Sequence, residues 1–274
     1  MPFLEFNGAK IYYETEGAGP AVVFVHAGIA DSRMWDDQWA AFAEHYQVIR
    51  YDTRGYGQTV GSEVSYSNRA DLRAILDHLG IEKAALIGCS RGGQIVADTT
   101  VETPERVWAL VTVGGGISGD IPGIEWESMP QIEIDALEEA DRLVEMGDWD
   151  AAAEAEAHAW VEGFYRTPEQ VSKPMRDKVK AMLLQSYTHH DEGGQPIVLD
   201  PPGSGRLNEI TCPVLITYGD VDETATRLIG DYLADNIPGA QKYIFANSAH
   251  VPNMEHVEEF NRVVLSFLEK ARNR

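Results

Sequence analysis

Cysteine is nearly absent from this chain: Cys89 and Cys212 are its only two. Two distant thiols supply neither a disulfide framework nor a metal site. Long apolar runs are missing as well. No stretch approaches the roughly 18 apolar residues that a spanning helix needs. Basic residues are scarce, 22 against 44 acidic ones, for a formal net charge of −22. A field of that sign repels polyanions, so nucleic acid and anionic membrane surfaces are excluded as partners. It does not exclude a small anion, because surface charges are screened beyond about 8 Å in physiological salt. The first residues, Met1-Pro2-Phe3-Leu4-Glu5-Phe6, lack the basic start and apolar core of a signal peptide, which makes a cytoplasmic protein the expectation.

What is present is a full apolar complement, 44% of 274 residues. That is enough for one large domain or a domain carrying an inserted lid. Asn7-Gly8 between residues 3–6 and 10–14 predicts a hairpin. Ala21–Val25 is continuously apolar, the pattern of a strand buried on both faces. Residues 35–46, 68–79 and 93–103 read as helices, and 48–51, 84–87 and 107–113 as strands. This alternation predicts a mostly parallel, doubly wound sheet, an α/β fold. The rhythm breaks after Gly114-Gly115-Gly116. Helices are expected at 132–146, 149–165 and 173–187, without strands between them. Alternation returns with strands at 214–218 and 242–246 and helices at 226–236 and 257–271. We therefore expect a core made of residues 1–116 and 208–274 and a helical cap insertion at 117–207.

One short motif names a chemistry. Gly88-Cys89-Ser90-Arg91-Gly92 lies between a strand and a helix, the setting of a nucleophile elbow. The small flanking residues allow a sharp turn that lifts the serine hydroxyl off the sheet. A serine needs a base, and His250 follows a strand and precedes the last helix, at the sheet end where open α/β folds place their sites. The base needs a carboxylate to set its tautomer. Gly219-Asp220-Val221-Asp222 offers two, and Asp222 is preferred because Asp220 sits at the strand end, where aspartates bond loop backbone. Two backbone N–H groups must meet the developing oxyanion. Arg91 supplies one, and Gly28, with Ile29 as second choice, supplies the other.

Taken together, Gly88–Gly93, His26-Ala27-Gly28, Asp52–Gly57, Gly219–Asp222 and Ser248-Ala249-His250 resemble the α/β-hydrolase family. The likeness extends over nearly the whole chain. Within the family it is similar to small cofactor-free serine esterases, including aryl esterases, perhydrolases and enol-lactone hydrolases. The resemblance implies an α/β-hydrolase fold, no cofactor, no metal, and a small-molecule ester or lactone as substrate. Carbon–carbon bond hydrolysis and perhydrolysis use the same triad and stay open, as does a receptor role on this fold. Three positions depart from the family pattern. Ala27 replaces a glycine, Arg91 replaces a Met or Leu, and Glu223-Thr224 lacks a proline. Arg91 is expected to pair with one of the many carboxylates, the alternative being a free cation beside the site. Asp52, Arg54 and His26 are expected to be structural. His189-His190-Asp191 lacks metal-ligand spacing. Trp126, Trp149 and Trp160 line a substrate pocket or pack the cap.

Overall fold

The computed structural model describes residues 2–61, 64–189 and 194–273. His190 and Asp191 lie outside them. Asn7 and Gly8 both take positive φ, 43° and 74°, and turn β1 (Phe3–Phe6) back on β2 (Ala9–Glu16). A wide apolar run then becomes β3 (Ala21–Val25), buried along its whole length. Asp31 caps a 3₁₀ turn, Ser32–Trp35, that leads into α1 (Asp36–Ala43), so the helix expected from residue 35 begins one tight turn earlier and ends sooner. β4 (Gln47–Tyr51), α2 (Asn68–His78), β5 (Ala84–Cys89), α3 (Arg91–Glu102) and β6 (Val107–Val113) follow. The sheet resumes only at β7 (Val214–Gly219), then α7 (Thr224–Asn236) and β8 (Gln241–Phe245). The eight strands order as β1-β2-β4-β3-β5-β6-β7-β8. The first two pairings are antiparallel and the rest parallel.

Alternation within the strands divides the core. Val22 and Phe24 of β3 join the cluster that holds Trp35, Phe42 and Phe260, whereas Val23 and Val25 join the one that holds Leu72, Ile75 and Val96. A period of two along a strand buried on both faces requires that split. Each fully buried side chain of this size contributes about 1.5–3 kcal/mol.

Between β6 and β7 lie α4 (Gln131–Glu145), α5 (Trp149–Ala157) and α6 (Lys173–Tyr187), with no strand of the sheet among the described residues. Val179, Met182 and Leu183 of α6 belong to the same apolar cluster as Trp35 and Phe260. The single helix expected over 149–165 is instead broken. α5 widens into a π turn, His158–Glu162, and stops at Gly163, whose φ is 77°. A Cβ there would stand 2.8 Å from the Val221 carbonyl. The stop brings this segment against the loop after β7. Two further helices close the chain, α8 (Pro252–Glu255), which sequence periodicity does not reveal, and α9 (Val257–Arg272). α8 is a single turn with proline at its start, too short to show a period.

Candidate active site

Ser90 stands between β5 and α3 with φ 53° and ψ −119°. Non-glycine residues avoid this region, at a cost of about 1–3 kcal/mol. Close packing holds the strain. A Cβ on Gly88 would lie 2.2 Å from the Gly92 carbonyl oxygen, and one on Gly92 would lie 2.3 Å from that of Val25. Any larger residue at either position forces the elbow open. The Ser90 N–H donates to the Val113 carbonyl at 2.8 Å, which fixes the turn to the end of β6.

Next to that point, Gly114 lies against Asp222 and His250: its Cβ position is 3.1 Å from Asp222 Oδ2 and from His250 Nδ1. His250 Nδ1 is 2.9 Å from both carboxylate oxygens of Asp222. The contact puts the ring proton on Nδ1 and leaves Nε2 basic. Nε2 is buried and has no hydrogen-bond partner among the described residues. Asp220 is exposed, and of the two aspartates it is Asp222 that meets the imidazole. Burial opposes the imidazolium, but the charge and hydrogen bond of Asp222, with Glu223 and Glu156 nearby, outweigh it. The His250 pKa is raised above its ordinary value.

The loops carrying this pair are tied to each other and to the segment above. Val221 N–H donates to the Ser248 carbonyl at 3.0 Å, and His250 N–H donates to that of Trp160 at 3.2 Å. The Trp160 ring lies 4.5 Å from the imidazole, centroid to centroid. Glu156, one turn before it, has its carboxyl pKa raised by burial, against a hydrogen bond from Trp160. Arg166 is buried and grips both oxygens of Glu255. Glu255 in turn accepts from Ser248 Oγ at 3.0 Å and Ala249 N–H at 3.2 Å. On the acid side, buried Glu133 of α4 accepts from the Thr224 N–H at 2.9 Å and its hydroxyl at 2.8 Å, at the start of α7. The sequence pattern had not marked Glu133, Glu156, Gly163, Arg166 or Glu255, since long-range partners leave no local signature. Of the three tryptophans weighed for a pocket, Trp160 meets the imidazole, Trp149 stacks on Tyr187 with centroids 5.1 Å apart, and Trp126 is exposed.

The loop after β3 is set by a chain of donors. Thr53 gives its N–H and hydroxyl to His26 Nε2, each at 3.0 Å. His26 Nδ1–H then donates to the Ala27 carbonyl at 2.8 Å. The Ala27 carbonyl and the Gly28 N–H belong to one trans peptide, so anchoring the oxygen turns the N–H to the opposite side. The N–H groups of Gly28 and Arg91 donate to no backbone carbonyl among the described residues. Burial lowers the His26 pKa, against Asp52, and Arg91 lowers it further, so the ring stays neutral. Asp52 accepts from the N–H groups of Ser32 and Gln58, and Arg54 pairs with Asp71 at 2.8 Å.

Arg91 corrects an expectation. It meets no carboxylate among the described residues. Its guanidinium donates to Thr53 Oγ1 at 2.8 Å and Asn68 Oδ1 at 3.4 Å and lies 4.9 Å above the Tyr56 ring. Tyr56 lies in the loop ahead of α2 and Asn68 is the first residue of that helix, and both are neutral. Glu223 meets Thr226 Oγ1 at 2.8 Å and needs no proline to shape its turn. Cys89 is buried, and burial pushes its thiol pKa far up, which removes it as a rival nucleophile. His189 faces the Gly57 carbonyl at 3.1 Å, and no group of three metal-ligating side chains occurs among the described residues. No helix among them is long and apolar enough to cross a membrane.

The chain resembles several known proteins. The chain is 30% identical over 273 residues to a 2-hydroxy-6-oxononadienedioate/2-hydroxy-6-oxononatrienedioate hydrolase of Paraburkholderia phymatum, covering 94% of this chain and 91% of that one. It is 25% identical to a pimeloyl-[acyl-carrier protein] methyl ester esterase of Pectobacterium atrosepticum, over 95% and 99% of the two chains. A solved structure of an N-acyl homoserine lactone degrading enzyme superposes with a TM-score of 0.74 at 26% identity, covering 97% of this chain and 100% of its own. The sequence pattern of the alpha/beta hydrolase fold family matches residues 20–257. By strand order, by elbow and by kinship, the chain is an enzyme of the hydrolase class and belongs to the alpha/beta hydrolase fold family.

Proposed function

We propose that the protein cleaves a small carboxylic ester or lactone through a serine triad. In this reading Ser90 is the nucleophile, His250 the base, and Asp222 the group that orients it. The proton of Ser90 passes to His250 Nε2 as Oγ attacks the carbonyl carbon. The resulting oxyanion is met by the N–H groups of Gly28 and Arg91. The imidazolium, stabilised by Asp222, protonates the leaving alkoxide as the carbon–oxygen bond breaks. Water then repeats the cycle on the acyl-enzyme, giving its proton to His250 and releasing the acid. The observation that carries the proposal is the His250 ring, held at Nδ1 by both oxygens of Asp222 and left basic and unpartnered at Nε2. An esterase and a lactone-degrading enzyme among the relatives support the substrate class.

The test is a panel of esters and lactones of graded chain length, run with the wild type and with Ser90→Ala. The proposal expects turnover that vanishes in the variant. A variant that keeps most of the activity overturns it. A second reading, hydrolysis of a carbon–carbon bond, is favoured by the 30% relative, whose name describes a hydrolase of that kind of diene diacid. A vinylogous diketone compared with a nitrophenyl ester separates the two.

A further inference from the structure

We infer that Arg91 makes a carboxylate-binding subsite beside the oxyanion loop, and that the enzyme prefers esters or lactones whose chain ends in a carboxylate. This rests on the hydrolase reading for its substrate.

Arg91 belongs to two places at once. Its backbone follows Ser90. Its stem passes under Gly28, where Cδ and Cβ lie 3.8 and 3.9 Å from the position of a Cβ on that glycine. Arg91 lines a cavity of about 220 Å³ with Asn68, Arg69, Gln94, Asp98, Ile197 and Val198. The lining joins polar and charged side chains to two apolar ones, Ile197 and Val198, both more than half exposed. That is the profile of a site for a short carbon chain with an anionic end.

Charge pairing in the neighbourhood makes Arg91 exceptional. Arg54 meets Asp71 at 2.8 Å, and Arg69, in the same cavity, meets Glu102 at 3.4 Å. In a chain with twice as many acids as bases, an arginine without a carboxylate has to be kept from one. Arg91 is held by neutral partners only, Thr53, Asn68 and the Tyr56 ring. These orient the guanidinium, which among the described residues meets no carboxylate. The one carboxylate lining the cavity among the described residues, Asp98, accepts from the Ser118 N–H at 3.0 Å and hydroxyl at 2.8 Å. A planar guanidinium with unused N–H groups favours a carboxylate, which it can meet with two hydrogen bonds.

The test compares 4-nitrophenyl hydrogen glutarate with 4-nitrophenyl pentanoate, a neutral ester of equal acyl length. The readout is the ratio of their kcat/KM values, which cancels any common effect on the oxyanion loop. The wild type is expected to favour the anionic ester by about tenfold to a hundredfold, the range of one charge-assisted contact. Arg91→Met should lose most of that preference, and Arg91→Lys should keep part of it. Gln94→Glu, a change at an exposed position, should lower the ratio by repulsion while leaving Arg91 in place. It serves as the second variant should Arg91→Met fold poorly. A ratio that is the same in the wild type and these variants, or a wild type indifferent to the carboxylate, overturns the inference. Calorimetry with glutarate separates this outcome from failure of the hydrolase reading. If the wild type cleaves neither ester, glutarate should still bind it at least about tenfold more tightly than Arg91→Met. Equal affinity overturns the subsite independently of turnover.

Discussion

The rim of the sheet and the helical segment over it are held by different forces. At the rim, backbone meets backbone: Gly88 against Gly92, Gly92 against Val25, the Ser90 N–H on the Val113 carbonyl. The segment between β6 and β7 is fastened from α4, α5 and the turn after it by buried charges. Glu133 reaches Thr224, Arg166 reaches Glu255, and Glu162 meets Arg176 at 2.5 Å. Backbone contacts allow little adjustment, and they hold Ser90 in its strained conformation. Buried charged side chains hold only while both partners are present.

The sharpest way to break this contrast is Ser90→Ala. Activity is expected to fall by on the order of 10⁴ or more, with an unchanged circular dichroism spectrum. Retained turnover removes the rim from the chemistry. Next in size is Arg166→Met, which strips a buried pair and leaves the Glu255 charge with only its hydrogen bonds from Ser248 and Ala249. Denaturant titration should show a loss of about 3–5 kcal/mol, and a loss near zero would mean that the cover is not held by charge. Gly92→Ala tests the rim itself. A Cβ 2.3 Å from a carbonyl oxygen must displace backbone, at a cost of about 1–3 kcal/mol, seen as a lower Tm together with a lower kcat.

Titration gives a smaller effect with a definite sign. In the proposed reaction His250 must be neutral to accept the serine proton, and its pKa is raised above the ordinary 6.5. The acid limb of kcat/KM should therefore have its midpoint above 6.5, and Asp222→Asn should move it to lower pH. Stability runs the other way. A group whose pKa rises on folding contributes stability that is fully present below the unfolded value and lost as pH rises through the folded one. Melting curves across that window should show the protein losing this increment as activity rises. An acid limb below 6.5 would contradict the upward shift. The smallest effect marks the outer surface of the cover. Arg142 and Glu139 pair on the exposed face of α4, and Arg142→Ala should leave Tm and kcat unchanged within error.

Much of the rim was legible because its signals are local. A glycine pair around a serine, a turn after an apolar strand and a histidine before a helix are short-range features, and each lies in a loop that follows a parallel strand of the sheet. The choice of Asp222 over Asp220 followed from position in the turn, and the imidazole meets Asp222. The cover was legible only as helix. Its break at Gly163, the contact of Trp160 with the His250 ring, and the neutral partners of Arg91 depend on groups dozens of residues away. A count of charges led to the wrong partner for Arg91, because an average over the chain says nothing about one neighbourhood.

Sequence alone therefore determined the alternation of strands and helices, the elbow and the groups proposed to act there. Those properties follow from periodicity and from turns a few residues long. The tertiary structure decided which nitrogen of His250 is basic, which way the Ala27–Gly28 peptide faces, and that Arg91 rests on Thr53, Asn68 and the Tyr56 ring. Each of these depends on a distance between remote segments, and only the closed sheet with its cover sets such distances.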